Sequence, residues 1–565
     1  MTTTDTSTKE EGARNLRRGF CVASLLILGL ATAAQGEVTV EAGVEVLTRG
    51  PIHEAFAEAS MTGASAGVVI TKSPYDPISE LPPDQRPEGD NIAWIPGYWS
   101  WDDDRSDFIW LSGVWRDIPP GRQWVPGYWA PVGDGSQWIS GFWGDAAQTE
   151  VTYLPTPPEP LDVGPNSPAP GRDHSWTPGC WVWQQTRYDW QPGYWVLQQP
   201  DWVWSPAHYT WTPRGYIYVP GYWDHDIVHR GVIFAPVYYQ QPVYRQPSYY
   251  HSPTIVIDLV VILASLFVQP RSHHYYFGDY YDSRYEDRGY YPWYSNQITR
   301  YGYDPMYAQF RSTQLRIDVD WDVHIDERYR YFRENVNARP PQTLALQVNF
   351  INNNTTNITQ NIIIGKSLED AVRSTTQPMR FKSVGMDERK QIETRGREVH
   401  KLQSERAKLE REPKAAGRSK EGGETAEPDR ATLPVSPVVA RKTENVKGAK
   451  TPPAAPVAPK PQAVEGRDRQ GKPEKVEAKA ETPVSEKKPV KADAKPVPAK
   501  EEPRKVEAKK ETPSSQKPKP DVQARPEKTD AKPAPAKEDP RKVEAKKETP
   551  SSQKPQPDVQ ARPEK

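Results

Sequence analysis

The chain has 565 residues, including 60 prolines and 20 tryptophans, and its formal net charge is -1. So much proline excludes a chain packed from end to end, and the balanced charge gives no global field of the kind that marks a nucleic-acid binder.

Residues 1–34 read as an export signal. Arg14, Arg17 and Arg18 precede an apolar run over 20–30, and Ala31-Thr32-Ala33-Ala34 offers a cleavage site. The run is shorter than the roughly 20 residues of a spanning helix. Its removal takes Cys21 with it, so Cys180 has no partner for an internal disulfide and the mature fold rests on packing and hydrogen bonds. Residues 35–93 form an extended lead-in, with one short strand at 37–41 and then Pro74, Pro77, Pro82, Pro83 and Pro87.

Between Trp94 and Trp223 the chain repeats one motif, Trp-x-x-Gly-x-Trp, and that stretch holds 18 of the 20 tryptophans. The sound copies are Trp94-Gly97-Trp99, Trp110-Gly113-Trp115, Trp124-Gly127-Trp129, Trp138-Gly141-Trp143, Trp176-Gly179-Trp181, Trp190-Gly193-Trp195 and, led by tyrosine, Tyr218-Gly221-Trp223. An eighth, Trp204-Ala207-Tyr209, has lost its glycine. First residues are spaced by 16, 14, 14, 38, 14, 14 and 14, the strict period of a repeat architecture. The long interval is a proline-rich linker at 144–175 that separates two blocks of four, 94–143 and 176–223. Pro-Gly at the motif's centre excludes helix. Two β geometries stay open: a type II turn that brings Trp124 beside Trp129, or a strand kinked at glycine with the polar stretches between motifs as the turns. A single unit is too small to bury its rings, so neighbours supply the core.

Residues 224–310 are tyrosine-rich and contain one apolar run, 254–268, broken by Asp258 and read as a buried strand or strand pair. In the mixed region 311–384, the Asn/Ile-rich segment 346–364 reads as strand-like. The charged stretch 385–412 lacks proline and predicts a mostly solvated single helix of coiled-coil type, although its apolar residues are too sparse for a long seam. Residues 413–565 are a Lys/Glu/Pro/Ala-rich tail expected to be disordered, in which 493–528 recurs at 530–565, an offset of 37. The fold class is therefore mainly β: tandem, hairpin-like Trp-rich repeats in two blocks, then an aromatic region, a solvated helix and a long tail.

The seven sound units resemble the bacterial exported WxxGxW-repeat family, also described from a YxWGxW pattern, over 130 residues. The resemblance implies a cell-envelope protein and carries no catalytic residues.

The residues themselves show no catalytic motif, and no enzyme activity, cofactor or metal is assigned. Asp224, His225, Asp226, His229, His273 and His274 place oxygen and imidazole groups near one another in sequence, but ordinary turn residues explain the same letters. Cys180, where the motif usually carries an aromatic, is expected to be apolar in role. The leading functional reading is a structural or interaction protein of the periplasm or envelope that binds an envelope protein or itself. The alternative is binding of a cell-wall glycan on exposed rings, with Trp99, Trp129, Trp195 and Trp223 as candidate platforms. Against such platforms stands the structural reading that the rings are simply the core, since few other large apolar residues are present. Nucleic acid is excluded as a partner, and membrane contact is not favoured.

Overall fold

The computed structural model of the chain describes residues 41–59, 66–162, 164–297, 304–353, 363–375, 378–411, 428–441 and 450–464. The export signal, residues 37–40 of the strand expected at 37–41, and the 37-residue repeats lie outside them.

The motif turns out to be a strand with a kink, and not a hairpin turn. In the first unit, strands Ile92–Ile95 and Tyr98–Asp102 run outward through one motif, and Asp107–Leu111 and Val114–Asp117 return through the next. Trp94 is paired across the ladder with Trp115, and Trp99 with Trp110. The chain reverses at the polar residues 103–106, which is why charged residues interrupt the aromatic pattern there. Two motifs thus make one bent hairpin, and eight motifs make four. In the second, Trp124 faces Trp143 and Trp129 faces Trp138. Trp176 faces Trp195 and Trp181 faces Trp190 in the third, while Trp204 faces Trp223 and Tyr209 faces Tyr218 in the fourth. All eight facing pairs are edge-on or tilted, with ring centroids 5.1–5.4 Å apart. Such pairs contribute about 0.5–1.5 kcal/mol each beyond their burial.

The kink explains the glycine. At the bend the leading tryptophan of one motif lies across the glycine of the other. A Cβ on Gly113 would come within 2.5 Å of Trp94 Cζ2, one on Gly127 within 2.5 Å of Trp138 Cζ2, and one on Gly141 within 2.5 Å of Trp124 Cζ2. None of these glycines has a positive φ, so the requirement is space for a ring and not backbone conformation. By the register shared with the other hairpins, the ring that would cover position 207 belongs to residue 218. The two irregular copies are therefore two halves of one contact: where glycine has become Ala207, the covering tryptophan has become the smaller Tyr218.

Around the hairpins the chain is wrapped closely. The lead-in is not merely extended, since Thr48, Arg49, Ile52, His53, Glu54, Ala55 and Phe56 are all buried. Val44–Val46 and Val237–Tyr239 extend the inner sheet of the first hairpin, and Val69–Ile70 that of the second. Glu150–Leu154, inside the linker, joins the fourth. The apolar run 254–268 forms strand Ile255–Ile257, a short helix Leu259–Leu263 and strand Phe267–Gln269. Asp258, which breaks the run, caps that helix by accepting from the Val260 and Val261 amides. Among the described residues no helix is long and apolar enough to cross a membrane.

Two expectations are corrected. The segment 346–364 begins inside a helix, Leu344–Asn353, and not a strand. The buried Gln347 amide side chain ties this helix to the backbone of Ile364 and Gly365, a tertiary contact that overrides the β-branched composition. The helix Met386–Arg411 is single, as expected, but has no coiled-coil character. Its buried stripe, Ile392, Glu393, Gly396, Val399, Leu402, Arg406 and Glu410, packs mainly on repeat strands. Two parts of the tail, 428–441 and 450–464, also lie on the repeats, with Asp429–Thr432 pairing Glu150–Leu154.

The reciprocal contact gives a double-mutant test. Tyr218→Trp alone should destabilise the protein by about 1–3 kcal/mol through overpacking against Ala207. Ala207→Gly in the same chain should recover most of that loss in urea unfolding, whereas additive effects would show that the two positions do not touch.

Candidate functional site

A bent strand leaves backbone groups without ladder partners, and buried amides and carbonyls must find others. At the bends of the first three hairpins the amides meet a carboxylate from elsewhere in the chain. Glu80 accepts from Gly97 N (2.8 Å), Gly113 N (3.0 Å) and Trp110 Nε1 (2.7 Å) in the first hairpin. Glu54 accepts from Gly141 N (3.0 Å) and Trp138 Nε1 (2.7 Å) in the second. Asp162 accepts from Gly179 N (3.3 Å) and Gly193 N (3.0 Å) in the third. Burial pushes Glu80 up to about 7 and Glu54 up to about 8, against the pull of the N–H donors.

The long helix takes the bend carbonyls. His400 Nε2–H donates to Gly97 O at 3.0 Å, and the Gln403 amide donates to Gly127 O. Arg406 donates to Pro126 O and Ser140 O, both at 2.9 Å. The guanidinium is fully buried, 3.0 Å from the equally buried Glu410 and between the rings of Tyr128 and Phe142. Glu410 in turn accepts from the Tyr128 and Tyr153 hydroxyls. On the fourth hairpin Arg122 plays the same part, donating to Pro220 O and Gly221 O.

The candidate platform rings are placed differently from one another. Trp99 is 3% exposed and Trp223 7%, so the expectation of open platforms does not describe these two. Trp129 and Trp195 are half-buried. All four point the indole N–H at oxygen outside the hairpin strand they belong to: Trp99 at Asp76 O, Trp129 at Trp99 O, Trp195 at Ser167 and Trp223 at Ala454 O. The third hairpin is the most open, with Trp183, Tyr188, Tyr194 and Trp195 half-buried and Leu197 exposed.

The histidine and aspartate run divides. Asp224 is committed to Arg116, at 2.6 Å, and to Arg230, at 3.1 Å, and these guanidinium groups hold its carboxyl below the usual range despite burial. His274 is buried against the Tyr98 hydroxyl at 2.8 Å, and desolvation drives it down to about 3. Asp226 and His229 do come together with Asp201, which the sequence run did not include, their ligand atoms within 4.8 Å of one another. Lys450 already places its ammonium 2.7 Å from Asp201. The Cys180 thiol is pushed up to about 12 by burial, which removes its thiolate at neutral pH and fits the apolar role.

This geometry defines a class: a tandem array of bent aromatic hairpins, each built from two motifs. A family model described as the WXXGXW repeat, in two copies, matches residues 93–116, 124–143, 171–196, 200–224 and 214–231. Each of the first four spans covers one bent hairpin, so the two-copy unit is the structural unit, and the chain carries the WXXGXW repeat. No curated protein and no solved structure matches it.

Two tests follow from the bends. Arg406→Leu should cost about 3–5 kcal/mol in urea unfolding, because it strands the Glu410 charge and leaves two bend carbonyls without a donor. Glu80 titrates higher in the folded chain than its usual 4.5, so the folded state binds the extra proton. Its contribution is fully present below 4.5 and is lost as pH rises through about 7. The stability gap between the wild type and Glu80→Gln should accordingly narrow over that window, and a gap that widens would reverse the assignment.

Proposed function

We propose that the protein is a non-enzymatic interaction protein of the cell envelope, in which the Trp-rich hairpins form a rigid scaffold that binds an envelope protein or a second copy. One observation carries this reading: the buried groups best suited to acid-base chemistry are committed to holding the backbone. Glu54 and Glu80 hold bend amides, His53 donates to Pro96 O, His400 donates to Gly97 O, and Asp224 is enclosed by two arginines. The tryptophans are spent in the same way, ring against ring within each hairpin. The apolar N-terminal run supports export, and the family resemblance supports the envelope.

Glycan binding is the second reading, favoured by the half-open rings Trp183 and Trp195 on the third hairpin. The two separate in one experiment. A scaffold should self-associate in sedimentation or cross-link to an envelope protein in cells, and should not co-sediment with peptidoglycan. Co-sedimentation that is lost in Trp183→Ala with Trp195→Ala would favour the glycan instead.

A further inference from the structure

The tail segment 451–462, Thr-Pro-Pro-Ala-Ala-Pro-Val-Ala-Pro-Lys-Pro-Gln, lies along the third and fourth hairpins. All five prolines, Pro452, Pro453, Pro456, Pro459 and Pro461, are half-buried. Thr451, Ala454, Ala455, Val457, Lys460 and Gln462 are exposed, Val457 at 95%. Pro453, Pro456 and Pro459 recur every three residues, the turn of a polyproline II helix, so one edge of such a helix faces the repeats.

That conformation makes no internal hydrogen bonds and leaves its carbonyls free. The hairpins supply the donors. Trp223 Nε1 donates to Ala454 O at 3.1 Å and Gln191 Nε2 to Pro459 O at 2.9 Å. Trp190 N donates to Gln462 O at 2.9 Å, and Gln462 N returns a bond to Trp190 O at 2.8 Å. At the basic end, Lys450 reaches Asp201, the carboxylate that stands beside Asp226 and His229. An aromatic surface with an indole N–H aimed at a carbonyl, an amide donor further along and an acidic anchor at one end is the chemistry by which proline-rich segments are recognised. It also gives the Trp223 indole N–H an acceptor and Asp201 a counter-charge.

The geometry points to a recognition groove for polyproline-type segments on the third and fourth hairpins, held in this chain by its own residues 451–462 and exchangeable for the same segment of a second copy. The inference rests on the self-association reading above and names the contact that produces it. Exchange is favoured by the strap's shallow seat, with half of its residues exposed, and every copy of the chain brings the ligand. Related sequence recurs further along, as Lys517-Pro518-Lys519-Pro520 and Lys554-Pro555-Gln556-Pro557.

The test uses the full chain with 451–462 replaced by a Gly/Ser segment of equal length, titrated with a labelled peptide of residues 450–462. Saturable binding is expected, weakened about tenfold by Trp223→Phe, the loss of one well-placed hydrogen bond. A folded variant that binds no peptide, or binds a proline-to-alanine peptide equally, overturns the groove. If the replacement fails to fold, hydrogen exchange in the intact chain decides. Gln191→Ala with Trp223→Phe should accelerate exchange of the Gln462 amide about tenfold, and unchanged exchange overturns the groove. For exchange between copies, dimers of the intact chain should dissociate with excess peptide. A chain that binds peptide yet stays monomeric overturns the exchange, and a dimer indifferent to peptide overturns it while leaving self-association in place.

Discussion

A tryptophan laid across a glycine is the contact on which the rest of this structure depends. The ring needs the space a Cβ would occupy, and the strand kinks where the ring crosses it. The kink takes backbone amides and carbonyls out of the ladder while the aromatic surroundings keep water away from them. An unpaired buried polar group costs about 1–3 kcal/mol, and four bends repeat that cost. The hairpins therefore cannot stand alone. They need carboxylates on one side and donors on the other, and the chain supplies both from distant segments: Glu54 and Glu80 from the lead-in, Asp162 from the linker, and His400, Gln403 and Arg406 from the helix beyond residue 385.

The consequence is a repeat protein that differs from a simple stack. In a solenoid each unit is completed by its neighbours. Here each of the first two units is completed by the same two outside segments, so hairpins, lead-in and helix should fold together. Buried charge is tolerated because it is distributed: Arg406 meets Glu410, two carbonyls and two aromatic faces, and Asp224 meets Arg116 and Arg230. Aromatic rings and ionised groups are thereby consumed inside the scaffold. The third hairpin, in the second block, keeps the most open rings, and a proline-rich strap lies along it.

Much of the fold was legible in the chain. The motif and its period marked the repeats, their polar spacers marked the hairpin tips, and the apolar run at 254–268 marked buried strands. The pairing of motifs was not legible, because a type II turn and a kinked strand use the same Pro-Gly letters. The bend carboxylates were not legible either, since Glu54 and Glu80 sit in irregular lead-in with no pattern around them. The helix did carry a sign. His400, Gln403, Arg406 and Glu410 recur every three or four residues on the face that a solvated reading would leave without purpose. The acceptors of the Trp99 and Trp223 indole N–H groups, on residues 76 and 454, lie outside the motif, so no local pattern could have foretold them.

The central claim is that distant carboxylates and the helix complete the bends. Hydrogen exchange of the Gly97, Gly113 and Gly141 amides tests it most directly. The account predicts that all three exchange only through global unfolding, with protection matching the most stable strand amides. Exchange of these glycines at the rate of surface loops, while their flanking tryptophan amides stay protected, would contradict it.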